Sequence, residues 1–132
     1  IPYLPVDIVA AEDCTVMFLN GKKLLNTCDN GCKFHHTLVR NLLGIVAQNN
    51  MYLNQKIKYT SRKTTREKLM TYLNDQAKMK GSNDFTIPFN RQELADYLGV
   101  ERSAMSAELG KLTKLGILRT QRSHFTLLKP LD

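Results

Sequence analysis

The chain has 132 residues, enough for one domain with its own core or a small domain with an appendage, and too few for a large catalytic barrel. With 42% hydrophobic and 23% charged residues it is an ordinary globular composition, not a disordered tail or a low-complexity array. Nineteen Lys and Arg against twelve Asp and Glu give a net charge of +7, which favours a polyanionic partner, nucleic acid before an anionic membrane surface.

The charge is unevenly placed. Residues 1–32 hold four acids (Asp7, Glu12, Asp13, Asp29) against Lys22 and Lys23, a net −2, so the other hundred carry +9. The polyanion is therefore expected on the C-terminal part. Cys14, Cys28 and Cys32 are an odd number without a framework spacing, and no signal peptide is legible. The expected compartment is the reducing cytoplasm. No apolar stretch approaches the ~20 residues that span a bilayer, so no membrane role is expected. The chain opens at Ile1 inside a strand-like passage, which reads as a fragment.

In chain order, Val6 to Ala11 and Cys14 to Leu19 are rich in apolar and β-branched residues, with Glu12-Asp13 as a turn. They predict a β-hairpin, followed by a short helix near Lys22 to Asn26. Such a hairpin cannot bury a core alone. From Lys33 to about Ser61 there is no proline, and Val39, Leu43, Val46, Asn50, Leu53 and Ile57 alternate steps of four and three. A long helix is predicted, about 43 Å at about 1.5 Å per residue. Leu38, Leu42, Ile45 and Tyr52 widen the stripe. So little chain remains to cover it that a homodimer is expected, joined by Leu38, Val39, Leu42, Leu43, Val46, Asn50, Leu53 and Ile57. Asn50 in that seam would fix register at a cost in stability.

Residues 62–132 alternate helix and strand signals. Thr64 with Glu67, and Asn90 with Glu93, are capping boxes that open helices. The first helix faces inward with Leu69, Tyr72, Leu73 and Ala77 and stops at Gly81, and the second with Leu94 and Leu98, closed by Gly99. Phe85, Ile87 and Phe89 predict an edge strand between them. A third helix starts near Glu101, buries Met105, Leu109, Leu112 and Leu115, and stops at Gly116. Ile117-Leu118, a polar turn over Gln121 to Ser123, and Phe125 to Leu128 predict a closing hairpin. The order is that of a winged helix-turn-helix. The expected fold class is α+β: residues 1–32 as a β-hairpin belonging to something larger, 33–61 as a dimerisation helix, and 62–132 as the winged helix-turn-helix.

With Met105, Leu109 and Leu112 inward, the third helix shows Arg102, Ser103, Ser106, Ala107, Gly110, Lys111 and Lys114 outward. That face is small, polar and cationic, and a major groove about 12 Å wide admits it. Arg102 in the first turn could fork onto guanine O6 and N7, with Ser103, Ser106 and Ala107 beside it. Asn90, Arg91 and Gln92 at a helix start, and Arg122 and Ser123 at the wing tip, are candidate phosphate contacts. Lys56, Lys58, Arg62, Lys63, Arg66 and Lys68 form a further basic cluster, as readable as a solvated face as a DNA contact.

The run NRQELADYLGVERSAMSAELGKLTKLGIL, residues 90–118, resembles the helix-turn-helix and wing entry of the Crp/Fnr superfamily of bacterial transcription regulators. The Arg-Gln-Glu-Leu opening, the Leu-Gly turn and the Glu-Leu-Gly-Lys-Leu continuation fall in register. The long helix, with a hairpin and short helix ahead of it, follows the same order, so the likeness covers nearly the whole chain. The resemblance implies a homodimer joined by the long helix, an effector-sensing β-roll ending in residues 1–26, a near-palindromic double-stranded DNA operator, and contact with RNA polymerase. There are departures. Family members often place Glu where Ser103 stands and Arg where Ala107 stands, so the operator should differ from the best-known sites. Leu4 and Pro5 stand where cyclic-nucleotide members hold the phosphate with Arg-Ser or Arg-Thr, and the three cysteines do not reproduce an iron-sulfur set. No cofactor is expected.

Two rival readings remain. Cys28, Cys32, His35 and His36 are credible ligands for a metal or redox sensor, but their spacing places them only partly on one helical face. The winged helix could also serve as a protein or RNA interaction module. For an enzyme there is no nucleophile-base pair, no Gly-rich phosphate loop and no grouped carboxylates, and catalysis is not expected.

Overall fold

A computed structural model describes residues 5–26 and 32–129 of the chain. The chain divides into two compact units, residues 1–46 and 47–132.

In the first unit, helix α1 (Gly21–Leu25) is capped by Asn20, whose side-chain oxygen accepts from the amides of Lys22 and Lys23. Helix α2 (Lys33–Thr60) begins here and continues into the second unit. The hairpin expected over Val6 to Ala11 and Cys14 to Leu19 is not formed: the described residues ahead of α1 are irregular and carry no strand ladder. Val6, Ile8, Val9, Val16, Met17 and Phe18 are all exposed there. Apolar runs favour strands only when a partner sheet covers one face, and two short segments do not supply one.

The second unit holds the core. The last turns of α2 lead into α3 (Thr65–Lys80), opened by the Thr64/Glu67 capping box. The amide of Thr64 donates to Glu67 Oε2 at 3.1 Å, and the Thr64 hydroxyl accepts from the amide of Glu67 at 3.1 Å. Strand β1 (Asp84–Thr86) follows, then α4 (Arg91–Leu98), opened by the matching box of Asn90 and Glu93. Gly99 ends α4 with φ of 62°, a left-handed conformation that any other residue would adopt at a cost. Gly99, Val100 and Glu101 alone separate α4 from α5 (Arg102–Lys114). Strands β2 (Leu118–Gln121) and β3 (His124–Leu127) form the wing, and β3 lies central in an antiparallel sheet of order β1-β3-β2. The register pairs Phe125 with Phe85 on one side and with Thr120 on the other.

Leu69 and Leu73 of α3, Leu94 and Leu98 of α4, Met105 and Leu112 of α5, and Leu118 and Phe125 of the sheet are fully buried together with Tyr59 of α2. Removing one such aliphatic side chain from water is worth about 1.5–3 kcal/mol. The outward and inward faces of α5 are fixed by this core. Leu115, expected on the buried side, is instead 57% exposed. It is the C-cap of α5, and the chain turns away at Gly116 before the side chain can reach the core. Of the residues expected to form the seam on α2, Leu43, Val46, Leu53 and Ile57 are also exposed, each more than half, and Leu38 is 36% exposed, while Val39 and Leu42 are half-buried.

Candidate nucleic-acid interface

Three local devices converge on one surface. First, burial of Met105, Leu109 and Leu112 turns Arg102, Ser103, Ser106, Ala107, Gly110, Lys111 and Lys114 to solvent, all exposed as the helical period requires. Second, the Asn90/Glu93 box fixes the start of α4, where free amides and the positive end of the helix dipole face outward. Third, the wing turns in a two-residue loop, Arg122-Ser123, because Gln121 pairs with His124. Arg122 has φ of 53°, the positive value that such hairpin loops demand and that Gly usually supplies.

These devices line a groove of about 490 Å³ bounded by Asn90, Arg91, Gln92, Arg102, Arg122 and Ser123. Five phosphate candidates from the sequence thus gather beside the leading base-contact candidate. The other three, Ser103, Ser106 and Ala107, lie exposed on α5, and Ser106 borders a neighbouring groove with Gly110, Lys114, Arg91 and Thr120.

The side chains differ in how free they are. Arg102 is exposed and enters no ion pair among the described residues. The Asn90 side chain is occupied as a cap, and Gln92 Nε2 donates to Asp96 Oδ1 at 2.9 Å. Ser123 Oγ donates to the carbonyl of Phe89 at 2.8 Å. Arg91 is the least expected. Its Nη2 donates to Thr120 Oγ1 at 2.5 Å, its guanidinium carbon stands 5.0 Å from the centroid of the Phe125 ring, and burial lowers its pKa. The ion stays charged at neutral pH, as arginine does. No local sequence signal points to this pairing, since Thr120 lies 29 residues away.

Much of the basic cluster at the end of α2 is spent on structure. Lys58 pairs with Asp75 at 2.5 Å, Arg66 pairs with Glu108 at 2.5 Å, Lys68 donates to the carbonyl of Gly99 at 3.3 Å, and Lys56 stands over Tyr97. Lys111 also reaches Glu108, at 3.5 Å. The Arg66 hydrogen bond, aided by the charges of Arg66 and Lys111, holds the Glu108 carboxyl below its ordinary pKa. A further polar set on the sheet was not anticipated: His124 Nε2 lies 2.5 Å from Asp84 Oδ1, which also accepts from Thr126 Oγ1 at 3.0 Å.

Of the rival metal set, Cys28 lies outside the described residues. Among the described residues no group of three or more His, Cys, Asp or Glu is arranged to hold a metal ion, and no helix is long and apolar enough to cross a membrane.

Helices α4 and α5 in a tight turn, followed by the β2-β3 wing, define a winged helix-turn-helix with a cationic outward face on α5. Residues 67–131 match the Crp-like helix-turn-helix domain family. No curated protein matches the chain. Among solved structures it is similar to a Crp/Fnr-family protein from Eubacterium rectale ATCC 33656, with a TM-score of 0.47 and 16% identity over 74% of this chain. The chain spans 43% of that protein's length.

Proposed function

We propose that the protein binds a near-palindromic double-stranded DNA operator as a homodimer, with α5 in the major groove reading base edges. Arg102 carries most of the discrimination, with Ser103, Ser106 and Ala107 close to the bases. Asn90, Arg91 and Gln92 at the start of α4, and Arg122 and Ser123 at the wing, grip the phosphates on either side. The single observation that carries this reading is the groove in which Arg102, the α4 start and the wing loop face one another. Two copies joined along the exposed α2 stripe would place their α5 helices in successive major grooves about 34 Å apart. A small-molecule effector acting on the β-roll of which residues 1–32 form the tail, and RNA polymerase as a further partner, complete the proposed regulator, acting in the bacterial cytoplasm.

Selection of binding sites from a random duplex pool tests the proposal. A two-fold symmetric consensus with half-sites one helical turn apart is expected. Recovery of no consensus, or tighter binding to single-stranded RNA than to any duplex, would overturn it.

A further inference from the structure

Arg91 is held in a way that a simple phosphate arm does not need. From the first turn of α4 it touches both wing strands, β2 through Thr120 Oγ1 and β3 through the face of Phe125, which is itself fully buried. Thr120 stands two residues before Arg122. On the far side of the loop, Ser123 Oγ donates to the carbonyl of Phe89, just ahead of α4. The wing loop is therefore tied to the α4 region at both ends, with Arg122 between the ties in a left-handed conformation. A non-glycine residue keeps such a conformation only where its surroundings hold it. Arginine suits the post because its planar fork can stack on a ring and donate from its edge at once, which lysine cannot do.

We infer that Arg91 and Thr120 form a strut that fixes the wing against α4 and so places Arg122 at the groove, making Thr120 a positioning residue for the phosphate grip and Arg91 both strut and groove wall. The inference rests on the DNA-reading proposal above. It predicts that an uncharged residue controls an electrostatic contact: loss of the Thr120 hydroxyl frees the loop, and Arg122 no longer meets its phosphate.

The test uses the full chain and a 30-base-pair duplex of the selected consensus, or of random sequence, titrated at several salt concentrations. Thr120→Val should weaken binding about fivefold, a coupling in the range seen between contacting residues. It should also flatten the slope of log affinity against log salt by roughly one per protomer, as loss of a phosphate contact does. Thr120→Ser should bind as the parent. In an Arg122→Ala background, Thr120→Val should have no further effect. If Thr120→Val melts below the assay temperature, Thr120→Ala, which also removes the hydroxyl, takes its place in the same cycle. Additive losses in the double variant, or an unchanged salt slope in the single one, overturn the strut and leave the DNA reading intact. An Arg122→Ala variant that binds every duplex like the parent overturns the strut and the proposed role of this groove together.

Discussion

Arg102→Ala isolates base reading from everything else the interface does. The side chain is exposed and joins no ion pair among the described residues, so its removal should leave the folded state untouched and shift the melting temperature by less than a degree or two. One bidentate contact to guanine is worth about 1–3 kcal/mol of discrimination. A symmetric dimer makes it twice, so the full operator should lose about 2–6 kcal/mol, whereas an operator with one half-site already mutated at that guanine should lose only about half as much. Fluorescence anisotropy on the selected duplex and its single base-pair variants, at three salt concentrations, reads each quantity. The expected pattern is a preference relaxed at one symmetric pair of positions, with the salt slope nearly unchanged. A uniform loss over all sequences, accompanied by a slope lower by about 0.9 per protomer, would show that Arg102 meets a phosphate. The assignment of the α5 face would then fail.

Leu53→Lys places a charge in the C-terminal half of the α2 stripe, where each protomer would otherwise bury a leucine worth about 1.5–3 kcal/mol. Sedimentation equilibrium should find the dimer weakened by about 3–6 kcal/mol, and a protein still dimeric at low micromolar concentration would refute pairing through this seam. Arg122→Gly removes the left-handed penalty of about 1 kcal/mol while adding freedom to the unfolded chain, which offsets most of it. Its melting temperature should match or slightly exceed the parent's while affinity falls for all duplexes alike, and unchanged affinity would remove the wing from the interface. Glu108→Gln tests the pair between α3 and α5. Because the folded state lowers the Glu108 pKa, its contribution is present above the unfolded value near ~4.3 and vanishes as pH falls through the folded one. Urea unfolding should show the variant less stable by about 0.5–1 kcal/mol at pH 7, an exposed-pair magnitude, with the gap closing below about pH 4. A gap that persists there would assign the loss to packing.

What could be read from the chain was local. The Thr64/Glu67 and Asn90/Glu93 boxes span four residues each, and Gly81 and Gly99 end the helices they follow with φ of 63° and 62°. Their chemistry is set by neighbours in sequence, and so were the helix starts, the tight turn and the outward face of α5. The Arg91 to Thr120 and Arg66 to Glu108 contacts bridge 29 and 42 residues, and nothing in a spacing rule selects those partners among the other hydroxyls and acids. Leu115 illustrates a boundary error: it continues the apolar series of α5, but the helix ends before the period can bury it. The segment from Val6 to Leu19 fails for the opposite reason. Its β-forming residues are plain in the sequence, yet a strand is defined by what it pairs with, and pairing is a property of the surrounding sheet.

Helix α4 is clamped at both ends, and this bears on how the end of α2 could influence a groove it does not line. At its start, Arg91 and the carbonyl of Phe89 hold the wing. Near its end, the Tyr97 ring lies 5.0 Å from Phe89, 5.7 Å from Tyr72, 6.1 Å from Tyr59 and 6.0 Å from Tyr52. Tyr52 and Tyr59 belong to the last turns of α2, and Tyr59 meets Tyr72 edge-on at 5.4 Å in the core. Burial drives the hydroxyls of Tyr59 and Tyr72 above their ordinary pKa, with Asp75 adding to the effect at Tyr59, so both remain neutral donors throughout the physiological range. Such ring pairs contribute about 0.5–1.5 kcal/mol each beyond the area they bury. A rotation of the end of α2 must therefore break several of them or carry α4 along. The wing is tied to α4, and α5 packs on both α4 and β2 in the same core through Met105, Leu109 and Leu112, so such a rotation would carry the α4 start, the wing and α5 together.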